Sequence, residues 1–173
     1  MKQKMSPIPT QVMKEIETLK ANKKFDEAIK LVNAILSKDP TDEDALLQIA
    51  DIQYQKGEIE KADKAITFLN QKKKNDPLAL YIKGIIEMEK NNREKAKETL
   101  RQALELTNRT NHEIIRCYGL CEYRYGNREK GINYLNDAFK INNKDAEVIY
   151  NLIQVYMLEH DYLNAKKMIE YFQ

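Results

Sequence analysis

Apolar residues recur along this chain at the three- and four-residue spacing that puts them on one face of an α-helix. Leu46, Ile49 and Ala50 form one such group, and polar or charged residues flank it. No stretch alternates β-branched and polar residues as a strand would. The four prolines all lie outside the helical stretches, at Pro7, Pro9, Pro40 and Pro77. The pattern predicts an all-α protein.

Small residues form a column that repeats at a near-constant interval. The column reads Ala28, Ala62, Ala96, Gly131 and Ala165, with intervals of 34, 34, 35 and 34 residues. Such a period is typical of stacked helical hairpins. A small side chain lets the second helix of a hairpin press against its neighbours, so we expect this column at the helix contacts.

Asp and Asn residues mark where the helices begin. One column holds Asp42, Asp76, Asn111 and Asp145, and another holds Asn92, Asn127 and Asp161. These residues are favoured N-caps because the side-chain oxygen accepts a hydrogen bond from an otherwise unpaired backbone N–H. The predicted first helices of the hairpins cover 9–22, 43–56, 77–90, 112–125 and 146–159. The predicted second helices cover 25–38, 59–73, 93–107, 128–141 and 162–172.

The same columns predict how the chain is divided. Residues 1–8 are expected to form an N-terminal extension, and residues 9–173 are expected to form one array of about five antiparallel hairpins. The predicted repeat units are 9–42, 43–76, 77–111, 112–145 and 146–173.

The signature residues of these units resemble those of the tetratricopeptide repeat family. In successive units they are Leu46, Ile49, Ala50, Gly57 and Ala62; Leu80, Gly84 and Ala96; Ile115, Tyr118, Gly119, Gly126 and Gly131; and Leu152, Tyr156, Tyr162 and Ala165. The resemblance implies a right-handed superhelical solenoid whose first helices line a concave groove for a protein partner. One departure is that Gln53, Glu87 and Glu122 stand where the family has an aromatic residue.

The resemblance also implies which residues line the groove, at positions i, i+4 and i+7 of each first helix. In the last three units these are Tyr81, Ile85 and Met88; Arg116, Leu120 and Tyr123; and Tyr150, Gln154 and Met157. Tyrosine, methionine and arginine are enriched at protein interfaces, and a peptide or helix with apolar anchors would suit such a groove.

A second interpretation of this stripe stays open. Apolar residues at helical spacing are more often core than binding surface. Because Gln53, Glu87 and Glu122 replace the expected aromatic residues, their neighbours are candidates to turn inward and fill that space. These neighbours are Tyr54, Met88 and Tyr123. Tyr81, Leu120 and Tyr150 are therefore the favoured groove residues.

Charge and hydropathy narrow the range of partners. The chain has 29 Lys and Arg residues against 27 Asp and Glu residues, which gives a formal net charge of +2. Such a balance gives no general attraction to nucleic acid or to anionic lipid. No apolar run approaches the roughly 18–20 residues of a membrane span. The N-terminal residues are not expected to form a signal peptide, because no apolar segment follows Lys2 and Lys4.

Residues for catalysis, cofactor binding or metal binding do not converge in the sequence. His112 and His160 are 48 residues apart, and Cys117 and Cys121 form CxxxC rather than the CxxC of zinc and redox sites. We therefore expect neither an enzyme nor a cofactor. Two cysteines on one helix suit reduced thiols better than a disulfide, which favours the cytoplasm.

The C-terminal helix is predicted to leave apolar residues without a polar capping helix. These residues are Met168, Ile169, Tyr171 and Phe172. Such an end is expected to continue into a longer protein, to meet a partner or to meet a second copy of the chain. The leading functional hypothesis is a protein-interaction scaffold or adaptor. The alternative is a regulatory or docking segment of a larger enzyme or of a secretion or assembly machine.

Overall fold

The computed structural model describes residues 8–172, and within that range the regular structure is entirely α-helical. The helices are α1 Thr10–Ala21, α2 Phe25–Leu36, α3 Glu43–Gln55, α4 Ile59–Lys72, α5 Pro77–Glu89, α6 Arg93–Leu106, α7 His112–Tyr125, α8 Arg128–Ile141, α9 Ala146–Leu158 and α10 Tyr162–Phe172. Each predicted helix is present, and its ends lie within two residues of the predicted bounds. The predicted all-α hairpin fold is confirmed. Of the predicted N-terminal extension 1–8, residues 1–7 lie outside the described residues.

Most of the predicted N-caps make the expected hydrogen bonds. Asp42 accepts from the Ala45 N–H at 2.8 Å. Asp76, Asn111, Asn127, Asp145 and Asp161 likewise accept from backbone N–H groups two or three residues further on. Asn92 is the exception, since its side chain makes no cap hydrogen bond with α6. Its backbone ψ of 68° lies outside the extended range that a capping residue usually adopts.

The turn inside a hairpin generally uses one residue in the left-handed conformation. Gly57 has φ +84°, and Lys23, Asn91 and His160 occupy the corresponding place with φ near +57°. Gly126 differs, because its φ is −129°. A left-handed residue ends the first helix and turns the chain back, and glycine and asparagine adopt it at least cost.

The described chain divides into two compact units, one ending at Glu89 and the other beginning at Lys90. The first unit holds α1 to α5, and its core consists of two apolar clusters. One cluster is built around Ile16, Val32 and Ile52. The other is built around Ile66, Leu69 and Ile86. The core side chains come from the apolar faces of successive helices, as the sequence pattern predicted.

In the second unit, α6 packs on α7, α7 on α8, α8 on α9, and α9 on α10. The approach of α7 to α8 depends on glycine. A Cβ added at Gly131 would lie 2.5 Å from the Tyr123 backbone nitrogen and 2.7 Å from the Gly119 oxygen, so even alanine would force the helices apart. Ala28, Ala62, Ala96 and Ala165 are buried at the same position of their hairpins. The small-residue column lies at the helix contacts, as predicted.

Candidate functional site

The residues predicted for the groove differ widely in exposure. On α5, in the first unit, Tyr81 and Ile85 are half-buried and Met88 is buried. The other six lie on the neighbouring helices α7 and α9 of the second unit. They range from the buried Tyr123, through Arg116 and Leu120, to the exposed Tyr150, Gln154 and Met157. The residues therefore divide into those that hold helices together and those that are open to a ligand.

Arg116 joins α7 to α9. Its Nη2 donates to Glu147 Oε2 at 2.6 Å, and its Nη1 donates to Asn151 Oδ1 at 3.1 Å. Its side chain is largely covered, whereas that of Glu147 is exposed. Because the guanidinium already pairs with a carboxylate on the next hairpin, this surface does not present the strong positive charge that an acidic ligand would need.

Tyr123 links α7 to Glu159, the residue just beyond the end of α9. Its hydroxyl donates to Glu159 Oε1 at 2.7 Å, and Arg128 Nη1 lies 3.1 Å from the same oxygen. The Arg128 guanidinium also lies 5.6 Å from the centre of the Tyr123 ring, close enough for a cation–π contact. Burial and the Glu159 carboxylate raise the pKa of the Tyr123 hydroxyl. For Met88 and Tyr123, burial favours the interpretation that these side chains turn inward.

A buried carboxylate stands where the family has an aromatic residue on α7. Glu122 Oε1 accepts from the Tyr118 hydroxyl at 2.7 Å and from Lys130 Nζ at 3.1 Å, and Lys97 Nζ lies 3.5 Å from Oε2. Burial opposes ionisation of this group, yet the hydrogen bonds from Tyr118 and Lys130 hold the pKa of Glu122 below its ordinary value. The contacts with Lys130 and Lys97 thus allow the charged side chain of Glu122 to occupy a position at which the family has an aromatic residue.

Glu87 on α5 is a similar case in the first unit. It is buried, and Lys83, one helical turn earlier, lies 3.0 Å from its carboxylate and also pairs with Asp63. Sequence reasoning did not predict these networks. For Glu87 a signal existed, because lysine four residues before glutamate places the two charges on one helix face. For Glu122 the partners Lys97 and Lys130 lie on other helices, and no local spacing indicates them.

The most exposed apolar residues of the predicted groove lie on α9. Tyr150 is 59% exposed and Met157 is 47% exposed. One repeat earlier the corresponding residues are Arg116 and Tyr123, and both are largely covered. Arg116 pairs with Glu147 of α9, and Tyr123 donates to Glu159 just beyond the end of α9. The first helix of the next hairpin therefore covers these positions within the second unit. On α9 the same positions are open.

Neither cysteine is placed for redox or nucleophilic chemistry. Cys117 and Cys121 are both buried, and burial raises the pKa of the Cys121 thiol to about 11. A protonated, buried thiol is a poor nucleophile. Among residues 8–172, no three His, Cys, Asp or Glu side chains come together in a way that could hold a metal ion. None of the helices α1 to α10 is both long and apolar enough to cross a membrane.

Two family models described as tetratricopeptide repeat match the chain, one over residues 19–84 and the other over residues 78–110. In a search of curated proteins, no sequence matches this chain.

Several solved structures share the fold. TTC0263, a thermophilic TPR protein of Thermus thermophilus, is 19% identical with a TM-score of 0.83, and the match covers 94% of this chain and 88% of that one. PilF of Pseudomonas aeruginosa is 17% identical with a TM-score of 0.73, covering 94% and 73%. YrrB, a TPR protein with an unusual peptide-binding site, is 16% identical with a TM-score of 0.61, covering 98% and 86%. At these identities the likeness shows the fold alone.

Proposed function

This chain belongs to the tetratricopeptide repeat family, and we propose that it is an interaction scaffold that holds a peptide or helix of a partner protein against its first helices. Proteins built from these repeats are generally interaction scaffolds, so binding to another protein is the function that family membership supports. We propose that the chain acts by this binding and not by catalysis.

The observation that carries the proposal is the mixed surface of α7 and α9. On these two neighbouring helices, Leu120 of α7 is half-buried, and Tyr150, Gln154 and Met157 of α9 are exposed. Aromatic and thioether side chains are among the groups that dominate interface energies, and methionine adapts to varied ligand shapes. In the first unit, the half-buried Tyr81 and Ile85 of α5 offer the same kind of surface.

The contacts of Arg116, Tyr123 and Met88 refine this assignment. Arg116 and Tyr123 bind Glu147 and Glu159, and Met88 is buried, so these three support the first helices and leave ligand contact to their exposed neighbours. The groove residues that remain on α7 and α9 are Leu120, Tyr150, Gln154 and Met157, and none of them is charged. An amphipathic helix or an extended peptide with apolar anchors fits this surface best. Binding should therefore depend only weakly on salt.

The proposal predicts that Tyr81 of the first unit, and Leu120 and Tyr150 of the second, each contribute to partner capture. Changing all three to serine removes apolar anchors without disturbing a helix contact described above, so capture should fall at least about tenfold. The measurement is affinity capture from a native lysate, quantified by mass spectrometry, with helicity followed by circular dichroism.

The matched control changes Phe68 and Leu106 to serine, because both are exposed apolar residues on second helices. The control should capture the same partners as the wild type. If the triple variant keeps its helicity and captures those partners equally well, the assignment of the binding surface is wrong.

Two further properties belong to the same proposal. The buried thiols of Cys117 and Cys121 support a reducing compartment such as the cytoplasm. The exposed apolar side chains of the last hairpin, among them Leu163 and Phe172, support self-association as a second mode of binding.

A further inference from the structure

The connection between α6 and α7 is one residue longer than its counterparts, and here the repeat interval rises to 35 residues. The helices α4, α6 and α8 each have 14 residues. Four residues follow α4 (73–76) and α8 (142–145) before the next helix begins, whereas five residues, 107–111, follow α6. The extra residue is accommodated by a left-handed backbone at both Asn108 and Arg109, with φ of +49° and +57°. The connection thus holds an arginine in a conformation that costs free energy.

Arg109 lines a cavity of about 200 Å³ together with one face of α8 in the second unit. The residues of α8 recur at the three- and four-residue spacing of a helix face and are Lys130, Asn133, Tyr134 and Asp137. The side chain of Arg109 is exposed, and between residues 8 and 172 it forms no ion pair. Its guanidinium is therefore available to a ligand in the cavity.

Lys130 is held at the cavity by the buried Glu122. Its Nζ lies 3.1 Å from Glu122 Oε1, and 5.8 and 5.9 Å from the centres of the Tyr118 and Tyr134 rings. The two rings pack edge to face with their centres 5.0 Å apart, which fixes one wall of the cavity. Lys97 Nζ lies 3.5 Å from the other oxygen of Glu122. Two lysines therefore share one carboxylate, and a positive charge remains beside the cavity.

Asp137 does not cancel this positive charge, because it has a cation of its own. Lys140 Nζ donates to Asp137 Oδ1 at 2.8 Å. The second carboxylate oxygen of Asp137 can still accept a hydrogen bond from an N–H or O–H group of a ligand. The lining residues that carry hydrogen-bond donors are Arg109, Lys130, Asn133 and Tyr134. The cavity thus combines positive charge with several donors and one acceptor.

We propose that this cavity binds a phosphate monoester, with Arg109 and Lys130 on the phosphate oxygens and Asp137 accepting from a neighbouring N–H or O–H of the ligand. A phosphate monoester carries up to about two negative charges at pH 7 and three acceptor oxygens. It therefore uses two cations and further donors more fully than the single charge of a carboxylate does. A phosphorylated side chain of a protein and a small phosphorylated molecule offer the same chemistry. The site lies on a second helix and is independent of the binding surface proposed on the first helices.

The experiment is a titration of the isotope-labelled full chain with inorganic phosphate, followed by NMR at constant ionic strength so that general screening does not change. The backbone signals of Arg109, Lys130 and Tyr134 should shift and saturate, with a dissociation constant on the order of 1 mM. Arg109→Gln should weaken binding at least about tenfold and keep its helicity, because the Arg109 side chain is exposed. Arg124→Gln is the matched control, since Arg124 is an exposed arginine of α7, and it should bind phosphate like the wild type.

A deletion tests the role of the longer connection. Removing Asn108 leaves four residues between α6 and α7, as after α4 and α8. The variant should keep its helicity, because a connection of that length joins the corresponding helices elsewhere in the chain. Its affinity for phosphate should fall at least as far as that of Arg109→Gln, because the connection no longer holds Arg109 at the cavity.

Three further ligands distinguish the sources of the anionic group: capped phosphoserine, glycerol phosphate and capped glutamate. The proposal is supported if phosphoserine binds most tightly, which identifies a phosphorylated protein, or if glycerol phosphate does, which identifies a small molecule. The absence of a saturable shift up to about 50 mM phosphate would overturn it. Equal phosphate binding by the wild type and by Arg109→Gln or the Asn108 deletion, or tighter binding of glutamate than of phosphoserine, would do the same.

Discussion

The fourth and the last hairpins, α7–α8 and α9–α10, follow one register but differ in how their apolar residues are covered. Leu135 and Tyr123 of the fourth hairpin are buried, and Ile169 and Met157 stand exposed at the corresponding places of the last. Leu135 and Ile169 are similar in size and polarity, whereas Tyr123 has a hydroxyl that Met157 lacks. Burial at these positions is therefore decided by whether another hairpin packs on them, and not by the residue itself. The same position of the repeat is buried in the fourth hairpin and exposed in the last described one.

A second difference concerns the position of the first helix at which the family has an aromatic residue. The last hairpin has the aromatic residue of the family, Tyr156, whose hydroxyl donates to Asn136 at 3.0 Å. The fourth hairpin has Glu122, which is held by Tyr118 and Lys130. Lys130 Nζ also lies 5.8 Å from the centre of the Tyr118 ring. The position accepts either residue, provided that its volume is filled and its polar atoms find partners.

A pair of matched truncations, Leu135→Ala and Ile169→Ala, tests most strongly whether the two hairpins differ in burial at this position. Leu135→Ala should cost about 2–5 kcal/mol of unfolding free energy, because it leaves a cavity between α8 and its neighbours. Ile169→Ala should cost less than about 1 kcal/mol in the monomer, because its side chain is already partly in water. Urea unfolding at low micromolar concentration measures both. Equal losses would mean that α10 is covered in the monomer, contrary to the comparison.

A smaller effect is expected for Glu122→Gln, which tests the second difference. The folded pKa of Glu122 lies below its ordinary value of 4.5, so the carboxylate stabilises the fold above that pH. This contribution is lost as the pH falls through the folded pKa. At pH 7 the variant should be about 1–3 kcal/mol less stable than the wild type, since charged hydrogen bonds to Tyr118 and Lys130 are weakened.

The stability difference should narrow as the pH falls from 4.5 through the lower folded pKa of Glu122, because the carboxyl becomes neutral first in the unfolded chain and then in the folded one. Denaturant unfolding at a series of pH values gives both results. Glu15→Gln is the control, because Glu15 is exposed on α1, and it should leave stability nearly unchanged. A constant difference between the Glu122 variant and the wild type down to about pH 3 would show that the charge of Glu122 does not stabilise the fold.

The fold could be predicted from the sequence because its signals are local or periodic. The helix bounds follow from N-caps such as Asp42 and Asp145, and the hairpin contacts follow from the small-residue column that includes Ala62 and Gly131. These features need only a turn of helix or one repeat to be recognised.

The behaviour of individual site residues could not be predicted in the same way. Arg116 and Tyr123 are bound by Glu147 and Glu159, which lie 31 and 36 residues further along the chain. Only the packing of the next hairpin brings such partners into reach. The family position of a residue therefore indicated the face it occupies, but not whether that face is open to a ligand.

The measurement that tests the central claim most directly is hydrogen exchange by mass spectrometry, comparing α8 with α10 at several protein concentrations. The backbone amides of α8 should exchange slowly at every concentration, because α7 and α9 cover that helix within one chain. Those of α10 should exchange faster in dilute protein, because its apolar face is exposed, and should slow down at concentrations at which the proposed self-association covers that face. If α10 is as protected as α8 in the most dilute sample, its apolar face is covered in solution, and the account is contradicted.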